Sequence, residues 1–242
     1  MVLNNRVALL TGAGGGIGSA IAVKLAKMGA DVILFGGNNL ANLEKTASAV
    51  RDLGKKAEII AGDLTDINFI ESGFNRAVEL FGKIDILINN AGIAINSTLE
   101  QTSMEMFDKI LAINVRAPYA LTKTALPTLK KSDRASIINI ASVVAHAGYP
   151  NQSAYTASKH ALIGFTKSLA QEVYKDGVRV HVISPGGVYT DMVKVTRPDL
   201  TSDGMIMPED IADIVEFFLK NRNNAVVDEI LVHRLGKEPF LV

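Results

Sequence analysis

Short apolar runs alternate regularly with amphipathic helical patterns along this chain, and that alternation restricts its fold more than any other feature. The runs are rich in β-branched and aliphatic residues and span Val7–Leu10, Val32–Phe35, Ala57–Ile60, Ile84–Ile88, Ser136–Ile140, Val178–Ile183 and Glu229–Val232. Several of them are almost wholly apolar, which is typical of parallel strands covered on both faces. We therefore predict a parallel sheet of about seven strands.

Helical periodicity fills the intervals between these strands. The predicted helices span Ile17–Met28, Leu40–Leu53, Asn68–Phe81, Ser103–Leu129, Ala154–Tyr174 and Pro208–Leu219. Repeated β-α units imply an α/β fold, a Rossmann-type doubly wound parallel sheet with right-handed crossovers. The 242 residues fit one domain, residues 1–242. Ligands of such folds bind beyond the carboxyl ends of the strands, where residues 186–207 are predicted to form a substrate lid.

The composition excludes several classes of function. Lys+Arg and Asp+Glu both number 25, so the chain lacks the basic footprint that nucleic-acid or membrane-surface binding requires. It contains no cysteine, which removes disulfide and thiolate chemistry. Residues 1–6 do not follow the pattern of a signal peptide, and no apolar run is long enough to span a bilayer. We expect a cytoplasmic protein with no nucleic-acid and no membrane partner.

A glycine-rich turn joins the first predicted strand to the first predicted helix. It reads Thr11-Gly12-Ala13-Gly14-Gly15-Gly16-Ile17-Gly18, with predicted cofactor contacts at Gly12, Gly14, Gly16, Ile17 and Gly18. Glycines at such a turn let the backbone approach a pyrophosphate, which rests on the free N–H groups that start the helix. This context predicts dinucleotide binding, and a glycine-rich turn without a ligand is the alternative.

The residues after the second predicted strand bear on the choice of coenzyme. An acidic residue that binds the adenosine ribose is expected there, but the chain reads Gly36-Gly37-Asn38-Asn39. This turn has no carboxylate to repel a 2′-phosphate and no arginine to attract one. Asn38 or Asn39 could hydrogen-bond either coenzyme. NADP(H) and NAD(H) both remain open, and the missing acid favours NADP(H).

A second constellation consists of Ser142, which follows the fifth predicted strand, and of Tyr155 and Lys159 on the next helix. Residues four apart share a helix face, so Tyr155 and Lys159 can flank one bound ligand. A free tyrosine has a pKa of about 10. A unit charge about 4 Å away contributes about 4 kcal/mol at an effective dielectric constant of about 20. We therefore expect Lys159 to bring the pKa of the phenol towards neutrality.

With its glycine-rich turn and its Tyr-x-x-x-Lys pair, nearly the whole chain resembles the short-chain dehydrogenase/reductase family. The resemblance implies a catalytic tetrad of Asn114, Ser142, Tyr155 and Lys159. It also implies cofactor contacts at Asp63, Leu64, Asn90, Ala91, Gly92, Tyr155, Lys159, Pro185, Gly186, Val188 and Thr190. In this family Tyr155 would exchange the proton, Ser142 would stabilise the substrate oxygen, and Lys159 would hold the nicotinamide ribose. Asn114 would bend a helix and anchor a water.

The activity that the resemblance implies is hydride transfer between NAD(P)(H) and the carbonyl/alcohol pair of a small molecule. A 3-oxoacyl reductase and a reductase of small carbonyl or hydroxy compounds are both compatible with it. A catalytically silent NAD(P)-binding sensor is the alternative, since function resides in the site rather than in the fold. The family also implies a homodimer or homotetramer built through the long helices. The residues after Val226 lack the glycine-rich tail that many members carry.

Three further residues are predicted to contact substrate: His146 and Tyr149, which follow Ser142, and Met192 early in the lid. A solvated loop and an apolar packing contact are the alternative interpretations of these positions. The histidines, His146, His160, His181 and His233, are scattered without the spacing of metal ligands. No metal site is predicted.

Overall fold

A seven-stranded parallel sheet forms the centre of the molecule, in a computed structural model that describes residues 1–190, 193 and 201–238. The strand order is β3-β2-β1-β4-β5-β6-β7. The strands are β1 (Val7–Thr11), β2 (Asp31–Phe35), β3 (Ala57–Ile60), β4 (Ile86–Asn89), β5 (Ser136–Ile140), β6 (Arg179–Pro185) and β7 (Glu229–Val232). The order reverses between β1 and β4, so the predicted doubly wound α/β fold is confirmed.

Helices cover both faces of the sheet. They are α1 (Gly16–Met28), α2 (Leu40–Arg51), α3 (Ile67–Phe81), α4 (Met104–Leu111), α5 (Ala117–Leu129), α6 (Ser153–Val173) and α7 (Pro208–Lys220). One core cluster joins the sheet to α1, α2 and α7, and a second joins it to α3, α5 and α6. Short 3-10 turns lie at Val143–Ala145 and Tyr174–Asp176. In the described residues no helix is long and apolar enough to cross a membrane.

Strand β1 shows why the apolar runs form a sheet covered on both faces. Successive side chains of a strand point to opposite faces. Ala8 and Leu10 accordingly belong to the core cluster on the α1 side, while Val7 and Leu9 belong to the cluster on the α3 side. All of these side chains are buried, so a polar residue at any of these four positions would lose its hydration on folding.

The predicted single helix Ser103–Leu129 is wrong in one respect. The structure divides it into α4 and α5, joined by a π-helical turn at Ala112–Arg116, in which the Ala117 N–H bonds to the Ala112 carbonyl. Proline has no N–H, so Pro118 cannot donate the i→i−4 bond of a regular α-helix to the Asn114 carbonyl. Apolar periodicity continues through the turn, and for that reason the sequence pattern did not reveal it.

A buried carboxylate ties together the amino-terminal edge of the sheet, opposite the edge at which ligands are expected. Asp85 accepts hydrogen bonds from the Val7 N–H at 3.0 Å, the Ser132 hydroxyl at 2.6 Å and the Arg6 guanidinium at 3.1 Å. The Lys83 ammonium lies 3.3 Å from the same carboxylate. Asp85 is 1% exposed, and these partners compensate the burial of its charge.

Candidate active site

A cavity of about 810 Å³ opens at the carboxyl ends of β1, β4, β5 and β6. Most of the predicted cofactor and catalytic residues line it: Gly12, Gly14, Gly16, Ile17, Gly18, Asn90, Ala91, Gly92, Ser142, Tyr155, Lys159, Pro185, Gly186, Val188 and Thr190. The strand order reverses at this edge, and it is there that ligands of doubly wound sheets bind.

The glycine-rich turn packs so closely against the end of β4 that a side chain at Gly12 or Gly18 would clash. A Cβ on Gly12 would lie 2.8 Å from the Ala91 Cα, and a Cβ on Gly18 would lie 2.1 Å from the Gly12 carbonyl oxygen. The Thr11 hydroxyl accepts from the Asn90 and Ala91 N–H groups, both at 3.0 Å. The amide of Asn90 donates to the Thr11 and Gly12 carbonyls at 3.1 Å. This tight junction fixes the backbone that faces the cavity.

Helix α1 leaves its first N–H groups free of side-chain caps. Its N-cap is Gly15, which has no side chain to bond them, whereas the caps of α2, α3 and α4 are Asn39, Asp66 and Ser103, which all do so. Unsatisfied N–H groups and the helix dipole together attract an anion such as a pyrophosphate. The cradle that glycine leaves open therefore fits the phosphate portion of a dinucleotide.

Four predicted cofactor residues, Asn38, Asn39, Asp63 and Leu64, lie outside the wall of this cavity. Asn39 uses its side-chain oxygen to cap α2 through the Asn42 N–H. The Asp63 carboxylate accepts hydrogen bonds from the N–H and the side chain of Thr65, and these two bonds hold the pKa of Asp63 below its usual range. Leu64 is buried beside Gly36, where a Cβ would lie 2.7 Å from the leucine side chain. These four residues follow β2 and β3. Their contacts with a cofactor stay predictions.

Ser142, Tyr155 and Lys159 converge at one end of the cavity. Ser142 follows β5 and begins the 3-10 turn, accepting from the Val144 N–H at 3.4 Å. Tyr155 and Lys159 lie one helical turn apart near the start of α6. The Lys159 ammonium donates to the Ile140 carbonyl at 2.9 Å and lies 5.8 Å from the centre of the Tyr155 ring.

Burial governs the ionisation of this pair. It raises the pKa of the Tyr155 phenol, and the hydrogen-bonding Ser142 hydroxyl opposes that rise only in part. Burial also lowers the pKa of Lys159 to about 8. The expectation that Lys159 brings the tyrosine pKa towards neutrality is therefore not met in the protein alone. The ammonium is hydrogen-bonded to a backbone carbonyl rather than to the phenolic oxygen.

Asn114 is buried within the π-helical turn and does not line the cavity. Its side-chain oxygen accepts from the Ile93 N–H at 2.9 Å, and its amide donates to the Ile93 carbonyl at 2.9 Å and to the Ser158 hydroxyl at 3.0 Å. The Ser158 hydroxyl in turn donates to the Tyr155 carbonyl at 2.7 Å. Asn114 thereby joins the segment after β4 to the helix that carries Tyr155. Sequence reasoning missed Ser158, because only the fold reveals its partner.

The segment that begins at Pro185, the last residue of β6, and ends at Thr190 runs along the cavity. At one end the Gly186 N–H bonds to the Val232 carbonyl of β7 at 2.8 Å. At the other end Thr190 faces the glycine-rich turn, since a Cβ on Gly16 would lie 3.0 Å from its methyl group. The two ends of the predicted lid are paired: the Tyr189 N–H bonds to the Ile206 carbonyl at 2.7 Å.

The three predicted substrate contacts have different placements. Tyr149 lines the cavity. His146 does not, because its Nε2 bonds to the Glu229 carboxylate at 2.7 Å and lies 3.4 Å from the Ser184 hydroxyl. Met192 lies outside the described residues. Sequence reasoning missed several residues of the wall, namely Asn96, Gln152, Met205, His233, Arg234 and Lys237.

This arrangement is suited to proton transfer at the oxygen of a bound molecule. A phenol and a serine hydroxyl that lie together in a cavity can both hydrogen-bond one carbonyl oxygen. Within the described residues, no group of three or more His, Cys, Asp or Glu side chains could hold a metal ion. That the chain has no metal site stays a prediction.

The sequence also matches a family model, that of the short chain dehydrogenases, over residues 6–201. The chain belongs to the short-chain dehydrogenase family. Membership confirms the predicted resemblance and, with it, the prediction of an NAD(P)-dependent oxidoreductase.

Relatives in the family include a 3-oxoacyl-[acyl-carrier-protein] reductase, FabG, of Rickettsia bellii. It is 36% identical over 238 residues, 95% of this chain and 95% of that protein. An uncharacterized oxidoreductase of Thermotoga maritima is 38% identical over 188 residues, 77% of this chain and 73% of that protein. The homologous region thus extends past the family model to β7.

Two solved structures share the fold. A metagenomic short-chain oxidoreductase in complex with NADP superposes with a TM-score of 0.84 at 31% identity, covering 96% of this chain and 98% of its own. A dehydrogenase/reductase from Sinorhizobium meliloti superposes with a TM-score of 0.87 at 34% identity, covering 97% and 95%. The short-chain dehydrogenase fold therefore accounts for nearly the whole chain.

Proposed function

We propose that this protein transfers a hydride between NADP(H) or NAD(H) and the carbonyl/alcohol pair of a small molecule, with Tyr155 as the general acid and base. One observation carries the proposal. A cavity at the carboxyl edge of the sheet has an uncapped, glycine-lined helix start at one end and the Ser142, Tyr155 and Lys159 side chains at the other. Together, the two ends can accommodate a dinucleotide and a substrate oxygen.

The residues present fit the nicotinamide dinucleotide that the family uses. Gly14–Gly18 would hold its phosphates, Asn90–Gly92 and Lys159 would hold its sugars, and Val188 and Thr190 would hold the nicotinamide end. When bound, the coenzyme supplies or accepts the hydride. The chain contributes binding, orientation and the proton.

In the reduction direction, Tyr155 donates its phenolic proton to the substrate oxygen, and in the oxidation direction it accepts that proton. Ser142 donates a hydrogen bond to the same oxygen and stabilises the negative charge that grows on it. The Lys159 ammonium stabilises the phenolate that remains after proton transfer, because an opposite charge nearby favours the ionised form. Asn114 is a positioning residue, since it holds α6 through Ser158.

Two features support NADP(H) as the preferred coenzyme. The turn after β2 holds no carboxylate, and Gly36 has a positive φ of 78° and no room for a side chain beside Leu64. An acid that would repel a 2′-phosphate therefore cannot be placed at Gly36 without displacing Leu64. A structural relative also carries NADP.

We further propose a homodimer or homotetramer assembled through α4, α5 and α6. Exposed apolar side chains on this face support the proposal: Met104 is 65% exposed, and Tyr119, which packs on Phe165 of α6, is 54% exposed. Light scattering that finds only monomers would contradict it.

The cytoplasm is the proposed cellular location, and fractionation of cells that produce the tagged protein would test it.

The test of the proposed activity is turnover of a carbonyl panel with NADPH and with NADH, followed by the absorbance of the reduced nicotinamide. Tyr155→Phe is expected to lower kcat by about 100-fold or more, because the proton donor is lost. Tyr174→Phe is the matched control: that tyrosine is exposed and lies on the 3-10 turn after α6. Coenzyme binding without turnover of any carbonyl by the wild type would contradict the proposal and favour the sensor.

A further inference from the structure

Basic side chains gather on one part of the cavity wall. His233, Arg234 and Lys237 follow β7 and line the cavity, and we name residues His233–Lys237 the basic segment. Among the described residues of the wall there is no aspartate and no glutamate. The remaining cation of the wall is Lys159, which the proposed chemistry uses. The described wall is therefore positive in a protein whose formal net charge is zero.

The basic segment lies away from the glycine-rich turn. Its position is fixed by β7, where Val232 pairs with Pro185 of β6. A Cβ on Gly187 would lie 3.4 Å from the Arg234 Cδ and 3.8 Å from its Nε. Thr190, by contrast, faces the glycine-rich turn from the other end of the same segment. In the sheet β7 lies two places from β5, which leads to Ser142, and four places from β1, which leads to the glycine-rich turn. The basic segment therefore follows a strand that is nearer to the proposed catalytic residues than to the pyrophosphate cradle.

Arg234 and Lys237 have no anionic partner among the residues that the structure describes. The Arg234 guanidinium contacts the Met205 sulfur at 3.3 Å, and no described carboxylate forms a salt bridge with either cation. Lys237 is exposed, whereas Arg234 is partly buried. The other partly buried arginines that the structure describes donate to oxygen atoms: Arg6 to the Asp85 and Asp133 carboxylates, and Arg134, Arg179 and Arg222 to backbone carbonyls. A guanidinium beside a thioether in a cavity lacks the compensation that a partly buried cation normally has.

We propose that the substrate carries an anionic group, a carboxylate or a phosphate, that Arg234 and Lys237 bind while its carbonyl faces Ser142 and Tyr155. The planar fork of arginine matches either anion through paired N–H bonds, and lysine adds a point charge. The substrate class is thus an oxo acid or a phosphorylated carbonyl compound. This inference rests on the proposed function, since it names the substrate of the same site. The anionic group itself does not react.

Pairs of substrates that differ only in charge test this inference. Acetoacetate is compared with methyl acetoacetate, 4-formylbenzoate with its methyl ester, and glyceraldehyde 3-phosphate with glyceraldehyde. The wild type is expected to prefer the anion of at least one pair by tenfold or more in kcat/KM, mainly through KM. The first two pairs report on a carboxylate and the third on a phosphate, so the panel distinguishes the two anions.

Substitutions then assign that preference to the basic segment. In Arg234→Gln the anion-to-neutral ratio of kcat/KM is expected to fall about tenfold, and in the Arg234→Gln, Lys237→Gln double variant it falls further. Lys131→Gln is the control for lost charge, because Lys131 is exposed and lies outside the cavity wall. Melting temperatures and NADPH dissociation constants are measured for each variant.

The outcomes separate the two proposals. Turnover of neutral and anionic substrates at equal kcat/KM, or a ratio unchanged in Arg234→Gln, would overturn this inference and leave the proposed function standing. A loss of NADPH affinity as large as the loss for the anionic substrate would also overturn it, because the cations would then serve the coenzyme. No turnover of any compound by the wild type would overturn the proposed function, and this inference with it.

Discussion

Lys159 is 4% exposed, and its ammonium is anchored to the Ile140 carbonyl. Sequence spacing placed it beside Tyr155, but spacing does not reveal burial. Burial disfavours the charged form of each group, so it moves the two pKa values in opposite directions. The pKa of the lysine falls to about 8, while that of the tyrosine rises. The first of the two groups to change charge above neutrality is consequently the lysine.

We expect kcat/KM for carbonyl reduction to decline as the pH rises through about 8, because Lys159 then loses the charge that stabilises the Tyr155 phenolate. In Lys159→Arg the guanidinium stays charged, so this decline should move to higher pH whatever the absolute rate. The measurement is the pH dependence of kcat/KM for both proteins. A decline at the same pH in the variant would assign it to another group.

At the scale of elements, a junction between the π-helical turn and α6 holds the helix that carries Tyr155. Asn114 bonds on one side to Ile93 and on the other to Ser158, and Ser158 bonds to the Tyr155 carbonyl. The family resemblance predicted that Asn114 bends a helix, and the structure places Asn114 in the π-helical turn. The serine partner could not be read from the sequence, because the two side chains meet only when α5 and α6 pack on the same face of the sheet.

Ser158→Ala should lower the free energy of unfolding by about 1 to 3 kcal/mol, since one buried N–H of the Asn114 amide loses its acceptor. We also expect kcat to fall by a larger factor than NADPH affinity, because α6 carries Tyr155 while the glycine-rich turn that would hold the phosphates lies at the start of α1. Urea unfolding and steady-state kinetics measure both effects.

Ser168→Ala provides the comparison for this prediction on the same helix. The Ser168 hydroxyl is exposed and bonds to Glu172, so its loss should change the free energy of unfolding by less than about 0.5 kcal/mol. If both serine variants lost stability and kcat to the same extent, the junction would have no special role.

The turn after β2 is a second element whose chemistry can be changed locally. Gly36 and Gly37 have φ values of 78° and 86°, so the first position that readily accepts an acid is Asn38. Asn38→Asp should lower the NADPH-to-NADH ratio of kcat/KM by about tenfold or more, about 1.4 kcal/mol, because a carboxylate repels the 2′-phosphate. Asn224→Asp, in the exposed connection before β7, adds the same charge elsewhere and should leave the ratio unchanged. If the NADPH-to-NADH ratio of kcat/KM were the same in the wild type and in Asn38→Asp, the 2′-phosphate would not lie near the turn after β2.

At the scale of the whole molecule, the sheet could be predicted because its strands are apolar runs with buried faces. The cavity could be predicted only in part. Residues near the strand ends, such as Gly12, Ser142 and Pro185, follow from the motifs. Arg234 does not, because the pairing of β6 with β7 brings it to Gly187 from far along the chain. The bond of His146 to Glu229 of β7, outside the cavity wall, could not be predicted for the same reason.

Asp85, at the amino-terminal edge of the sheet opposite the cavity, contributes to the stability of the whole fold. Burial raises the pKa of Asp85, but the Ser132 hydroxyl, the Val7 N–H and the Arg6 and Lys83 cations outweigh burial and hold it below the usual range. A carboxylate whose pKa is lower in the folded state stabilises the protein above its unfolded-state pKa. That contribution is lost as the pH falls through the folded-state value.

Asp85→Asn should therefore lower the free energy of unfolding at pH 7 by about 3 kcal/mol, since Arg6 loses its buried partner. The difference from the wild type should shrink below about pH 4, where the Asp85 carboxylate of the unfolded chain becomes protonated, and should be lost once the pH has fallen through the folded-state pKa. Denaturant unfolding between pH 7 and pH 3 measures it. Asp52→Asn, at an exposed position after α2, should have little effect at either pH. A difference that stays constant with pH would assign the loss to packing rather than to charge.

Strand β1 pairs with β4 over three positions, Ala8, Leu9 and Leu10 against Ile86, Leu87 and Ile88. This pairing joins two parts of the sheet, one built by the chain before residue 85 and the other by the chain after it. The turns that we propose to select the coenzyme lie before this pairing, while the residues that we propose to transfer the proton and the basic segment lie after it. Natural selection for the available coenzyme and selection for a new metabolite consequently act on different stretches of the gene. Exchange of the stretch before residue 85 by recombination is therefore expected to change the coenzyme preference while it leaves Ser142, Tyr155 and the basic segment in place.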